Sequence, residues 1–132
     1  MTITLNQQLL ELNTPRVMAI MNLTPDSFYD GGRLKNEEQL LQKVQQFIDE
    51  GASIIDLGGY STRPGAVNIS IEEEISRVIP VVKLIRTHFK DIPLSVDTFR
   101  SKVARAALEQ GVSMVNDVSG ATADDEMLDL IA

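Results

Sequence analysis

Four short apolar runs constrain this chain more than any other feature, because each is closed by an Asp or Asn and each is followed by a helix-forming stretch. Val17 to Met21 leads into Asn22, Ser53 to Leu57 carries Asp56, Leu94 to Val96 leads into Asp97, and Met114-Val115 leads into Asn116. Nearly continuous apolar runs of this length suit strands buried on both faces of a parallel sheet. The intervening segments have helical periodicity. Asn36 is spaced from Gln39 as an N-cap, and Leu40, Leu41, Val44, Phe47 and Ile48 share one face before Gly51 stops the helix. Ser70 and Glu73 have capping-box spacing ahead of Ile75, Val78, Ile79, Val82, Ile85 and Phe89, with Pro80 either kinking that helix or opening a second segment. Ser101 to Gln110 is the third helix, stopped by Gly111, and the acidic stretch from Asp124 suits a fourth. Thr2 to Leu5 alternates like a strand and is a candidate to plug the bottom of a barrel.

An internal echo supports the repeat. Gly51-Ala52-Ser53-Ile54-Ile55-Asp56 and Gly111-Val112-Ser113-Met114-Val115-Asn116 share the form Gly-x-Ser-apolar-apolar-Asp/Asn, both at a helix-stop-to-strand junction. Four βα units with no antiparallel hairpin between them imply right-handed crossovers and a parallel sheet, either doubly wound or part of a barrel. In both architectures ligands bind at the C-terminal ends of the strands. Asn22, Asp56, Asp97 and Asn116 therefore converge on one rim. Strand-end Asp and Asn also cap turns, but four on one rim favour a site.

Composition narrows the ligand. With Lys and Arg totalling 12 against 19 acidic residues, the net charge of −7 leaves no basic footprint for nucleic acid. An anionic ligand must then be held locally by single Arg side chains, backbone amides or a metal ion. No Cys is present, which excludes thiolate chemistry and agrees with a reducing compartment. Met1 to Glu11 has neither a basic region nor a long apolar run, so no membrane segment is expected there and the cytoplasm is the default. The only His, His88, falls in a helix's last turn as a surface residue, and Glu72-Glu73-Glu74 reads as a solvated first turn.

Two loops carry the remaining polar groups: NLTPDSFYDGG, Asn22 to Gly32, after the first run, and GGYSTRPGA, Gly58 to Ala66, after the second. Each combines hydroxyls with a cation or carboxylate, as loops that close over an anionic substrate require. The strings NLTPDSF, STRPGA, SVDT (Ser95 to Thr98) and NDVSG (Asn116 to Gly120), in this order and spacing, resemble the dihydropteroate synthase family over Val17 to Gly120.

That resemblance implies an α/β fold, a (β/α)8 TIM barrel of the pterin-binding type, of which residues 1–132 cover about the first four βα units as the N-terminal half of one domain without an internal boundary. It implies transfer of a dihydropterin methylene group from diphosphate to p-aminobenzoate in folate biosynthesis, with Mg²⁺ as cofactor, sulfonamides as inhibitors and a homodimer as the full-length assembly. Asn22 matches the metal ligand, in keeping with a hard cation that otherwise keeps water and phosphate oxygens. Asp97 and Asn116 match the pair that reads the pterin, and Thr62 and Arg63 match loop residues on the substrates, Arg63 and Asp97 being the catalytic assignments. Phe28, Ser61 and Pro64 would shape the p-aminobenzoate pocket. Tyr60 stands where the family often has Glu, and the family's later Asp, its pterin-contacting Lys and its Arg-x-His anion site have no counterpart before Ala132. The chain alone is thus expected to be inactive. A non-catalytic pterin-binding half barrel and a pterin-dependent methyltransferase are the alternatives, and the STRPG loop argues against the latter.

Overall fold

The computed structural model describes residues 1–30, 33–61 and 64–132. Two antiparallel strands, β1 (Thr2–Leu5) and β2 (Gln8–Glu11), open the chain as a hairpin. Then come β3 (Val17–Asn22), the single turn α1 (Pro25–Phe28), the short strands β4 (Tyr29–Asp30) and β5 (Arg33–Leu34), and α2 (Glu37–Asp49). The chain continues through β6 (Ala52–Gly58), α3 (Ile71–His88), β7 (Leu94–Asp97), α4 (Ser101–Glu109), β8 (Met114–Asn116) and α5 (Met127–Ile131). The main sheet has the order β3-β6-β7-β8, all pairs parallel, so each successive unit adds its strand beside the last. That is the sequential order of a barrel wall; a doubly wound sheet would reverse direction once.

Register sorts the sheet into two faces. Met21, Leu57, Val96 and Val115 lie in one row. With Ile55 and Leu94 they meet Leu40 and Val44 of α2, Val78, Val82 and Ile85 of α3, and Val103 and Ala107 of α4 in one hydrophobic core. The opposite face carries Ile20, Asp56, Ser95 and Met114 in one row and Asn22, Gly58, Asp97 and Asn116 in the next. This second face is not uniformly covered: Met18 is 37% and Ile20 62% exposed. The expectation that the first strand is buried on both faces therefore fails for β3, an edge strand of the sheet.

Turn chemistry explains most element boundaries. Gly51 and Gly111 have φ of +100° and +98°, the left-handed stops predicted for both members of the internal echo. Ser70 caps α3 by accepting from the Glu73 N–H at 3.1 Å. Asn36 takes the N-cap position of α2, its carbonyl accepting the Leu40 N–H at 3.1 Å, but at φ +56° its side chain makes no capping bond, and Glu37 and Glu38 face the helix's positive end. Pro80 lies inside one continuous α3. The acidic segment forms the short α5 from Met127, while Asp124 ahead of it accepts the Ser101 N–H at 2.7 Å at the start of α4. That hydrogen bond holds its carboxyl below the usual range.

The hairpin is tied to the rest at the N-terminal end of the sheet. The Asn6 amide donates to the Gly111 carbonyl at 3.1 Å, and Arg86 donates to the same oxygen from Nε at 3.0 Å and Nη2 at 2.9 Å. No helix among the described residues is long and apolar enough to cross a membrane.

Candidate active site

The C-terminal rim of the sheet is one row of four residues: Asn22, Gly58, Asp97 and Asn116. Three of the four strand-end residues picked out in the sequence are in it. Asp56 is not, because β6 runs two residues beyond it to Gly58, which places Asp56 one layer deeper. From there its Oδ2 accepts a hydrogen bond from Asn116 Nδ2 at 3.1 Å. The amide plane of Asn116 is thereby fixed, and its Oδ1 and second N–H remain for a ligand.

Gly58 matters by what it omits. A Cβ there would lie 3.6 Å from Asp97 Cβ, 3.7 Å from Asp97 Oδ2 and 3.9 Å from Asn22 Oδ1. The missing side chain opens a gap between an amide oxygen and a carboxylate. Below it, Asp56 Oδ1 and Ser95 Oγ are buried without a hydrogen-bond partner, so the face holds unused polar capacity in its second layer as well.

Asp97 is the electrostatic centre of this rim. Burial, and after it the charges of Asp56, Glu74 and Asp117, push its carboxyl up to about 6. Asp117 itself is spent on local structure, accepting from the N–H and hydroxyl of Ser119 and from the Ala121 N–H, which folds the NDVSG segment into a tight turn.

Both loops are fastened to α3. The Tyr29 hydroxyl donates to the Arg77 carbonyl, and burial holds that phenol well above its ordinary range. The Arg77 side chain donates to the Gly59 carbonyl at 3.1 Å and pairs with Glu73 at 2.7 Å. Gly59 is packed so closely on this helix that a Cβ would come within 2.9 Å of Val78 Cγ2. Between the loops lies a cleft of about 600 Å³, with Thr24, Pro25, Tyr60, Ser61, Pro64 and Arg77 among its walls. Of the residues expected to shape the second-substrate pocket, Ser61 and Pro64 line this cleft, whereas Phe28 packs against the core. Among the described residues, Asn22, Asp97 and Asn116 are not in its walls. Thr62 and Arg63 lie outside the described residues.

Glu74 corrects the reading of the acidic triplet. Glu72 and Glu73 face solvent, but Glu74 is 1% exposed, accepting from the Thr98 hydroxyl at 2.9 Å and from Arg100 Nη1 at 3.2 Å. Burial raises its carboxyl against the lowering influence of those partners. The signal was in the spacing: Glu74 falls in line with Val78, Val82 and Ile85 on the inward face of α3. His88 is on the surface, as expected.

No group of three or more His, Cys, Asp or Glu among the described residues could cage a metal ion. The donor set at the rim instead suits a hard dication held loosely. Asn22 offers one neutral amide oxygen beside the open Gly58 position, and the other coordination positions remain for water and substrate oxygens.

The strand-end amides and carboxylate lie along the rim of a parallel α/β wall, and the chain belongs to the family of pterin binding enzymes, which it matches over residues 18–132. Within that family it is similar to dihydropteroate synthases. It is 48% identical over 116 residues to dihydropteroate synthase of Clostridium beijerinckii, covering 88% of this chain and 43% of that protein. It is 46% identical over 121 residues to folic acid synthesis protein fol1 of Schizosaccharomyces pombe, covering 92% of this chain and 16% of that one. The solved structure of Xanthomonas albilineans dihydropteroate synthase with 4-aminobenzoic acid superposes with a TM-score of 0.86 at 42% identity, over 98% of this chain and 48% of that one. Burkholderia cenocepacia dihydropteroate synthase complexed with 7,8-dihydropteroate gives 0.80 at 35% identity, over 98% and 42%. The fold is thus that of the pterin-binding (β/α)8 barrel, of which these four strands form a part. The chain spans less than half the length of each of these relatives.

Proposed function

We propose that this chain is the N-terminal half of a single dihydropteroate synthase barrel domain, and that the reaction belongs to the barrel when further strands complete it. The row Asn22, Gly58, Asp97 and Asn116 carries the reading. It combines an acceptor carboxylate and an oriented amide, which suit the N–H-rich edge and ring carbonyl of a pterin, with an open position beside a neutral oxygen donor. Asp97, as the carboxylate, accepts N–H bonds from the pterin, and Asn116 completes the pairing. A bound pterin also favours the ionised form of Asp97, because its N–H groups supply the donors that a buried carboxylate lacks.

In this reading Arg63 and Thr62 contact the substrates, Arg63 through its bidentate fork, and Ser61 and Pro64 bound the p-aminobenzoate site. Mg²⁺, held by Asn22, would supply positive charge beside the departing diphosphate. The bond from the exocyclic methylene carbon to oxygen breaks first, with the electron pair leaving on diphosphate. The arylamine nitrogen then bonds to that carbon through its lone pair and gives up its extra proton to the released diphosphate or to water. Asp97 holds the pterin throughout, and closure of the two loops excludes water that would otherwise compete as nucleophile. A cytoplasmic homodimer and sensitivity to sulfonamides belong to the same proposal.

The test is diphosphate release measured with the completed barrel and with residues 1–132 alone. Release by the completed barrel should require the pterin diphosphate, p-aminobenzoate and Mg²⁺ together, and residues 1–132 alone should give none. Release indifferent to p-aminobenzoate would refute the assigned reaction, and full activity from residues 1–132 would refute the need for completing strands.

A further inference from the structure

One guanidinium touches three parts of the molecule that a two-substrate reaction would need to coordinate. Arg100 donates through Nη1 to Glu74 Oε2 at 3.2 Å and through Nη2 to the Ile69 carbonyl at 2.7 Å. Its plane also lies 4.9 Å from the centre of the Tyr60 ring and 5.3 Å from that of Phe99, and those rings meet edge to face at 5.4 Å. Tyr60 and Ile69 lie near the two ends of the connection from β6 to α3, which includes the second loop, so a single side chain holds both.

The other end of the contact chain is the rim. Glu74 Oε1 accepts from the Thr98 hydroxyl at 2.9 Å, Thr98 directly follows Asp97, and the Thr98 N–H donates to the Asn116 carbonyl at 3.2 Å. Every link is made by groups that cannot easily be given up. Glu74 is 1% exposed and Arg100 is its only ion-pair partner among the described residues, so the carboxylate fixes the guanidinium in place. The planar fork then leaves one edge for Ile69 and a face for the two rings, an arrangement that a Lys ammonium could not reproduce.

We propose that Arg100 is a positioning residue that ties the second loop to the Asp97 end of β7, and that this tie sets the affinity for the substrate seated against Ser61 and Pro64, leaving that for the pterin unchanged. The inference rests on the division of substrates made above, with p-aminobenzoate at the loop and the pterin at the rim.

Two variants test it. Arg100→Lys keeps a positive charge beside Glu74, and so the fold, but cannot bond Glu74 and Ile69 together. Arg100→Gln combined with Glu74→Gln removes both charges at once and strands neither. In each variant of the completed barrel, KM for p-aminobenzoate should rise on the order of tenfold, as expected for a mispositioned contact, while in Arg100→Lys, which leaves Glu74 and its charge in place, the dissociation constant for pterin diphosphate stays within about twofold. Amide hydrogen exchange over residues 64–69 should quicken relative to wild type, with exchange in β6 unchanged. Equal losses for both substrates would mean general loosening and would overturn the proposal, as would unchanged exchange over residues 64–69. A wild-type barrel without p-aminobenzoate-dependent condensation would sink the functional reading instead, and the exchange comparison would still decide whether Arg100 holds the loop.

Discussion

Asp97→Asn should make the protein more stable and a poorer ligand binder at the same pH. Asp97 is raised from 3.8 to about 6 by burial and by neighbouring carboxylates. The folded state therefore holds the proton more tightly than the unfolded chain, so stability falls as pH rises from about 4 through 6 and stays lower above that. A shift of about two pH units corresponds to a ceiling of about 3 kcal/mol. Asp97 keeps partial contact with solvent, and screening reduces this to about 1–2 kcal/mol. Asparagine removes the titration at little change in volume. Urea unfolding at pH 7.5 should then show the variant's midpoint higher by about 0.5–1 M, with the gap narrowing through pH 6 and closing below about pH 4. Pterin affinity should fall by about 1–3 kcal/mol, because the amide presents a donor where the ligand needs an acceptor. Equal midpoints at pH 7.5, or a gap that persists undiminished at pH 4, would refute the electrostatic reasoning. Unchanged pterin affinity would remove Asp97 from the site.

Gly58→Ala places a methyl group at ordinary contact distance from Asp97 and Asn22, so the melting temperature should change by no more than a few degrees while condensation falls at least tenfold; intact activity would show that the gap is not used. Gly59→Ala meets Val78 Cγ2 at 2.9 Å and the Glu74 carbonyl at 3.3 Å, and should cost about 1–3 kcal/mol in denaturant unfolding. Asn22→Ala removes the only metal donor proposed from this chain, and the Mg²⁺ concentration for half-maximal activity should rise about tenfold with little change in unfolding midpoint.

The order and type of elements were legible because they depend on local periodicity and turn chemistry. The stops at Gly51 and Gly111, the cap at Ser70 and the βα repeat all follow from residues within a few positions of one another. The same limit explains the failures. Asn36 has a cap's spacing but the wrong backbone, and Asp124, read as part of a helix, caps a helix 23 residues earlier. Neither outcome is visible in a short window.

For the site, the sequence alone placed Asn22, Asp97 and Asn116 at the C-terminal ends of their strands, since there the apolar run stops at the polar residue, but it put Asp56 where Gly58 belongs. Only the tertiary structure decided their relative height. Parallel register sets Gly58, not Asp56, level with Asn22 and Asp97, and a slip of a single residue would have turned every one of these side chains to the other face. It also decided that Glu74 leaves solvent to pair with Arg100, 26 positions away. A buried charge is tolerable only where the fold brings its counterion, and that meeting is written in the packing of α3 against the start of α4.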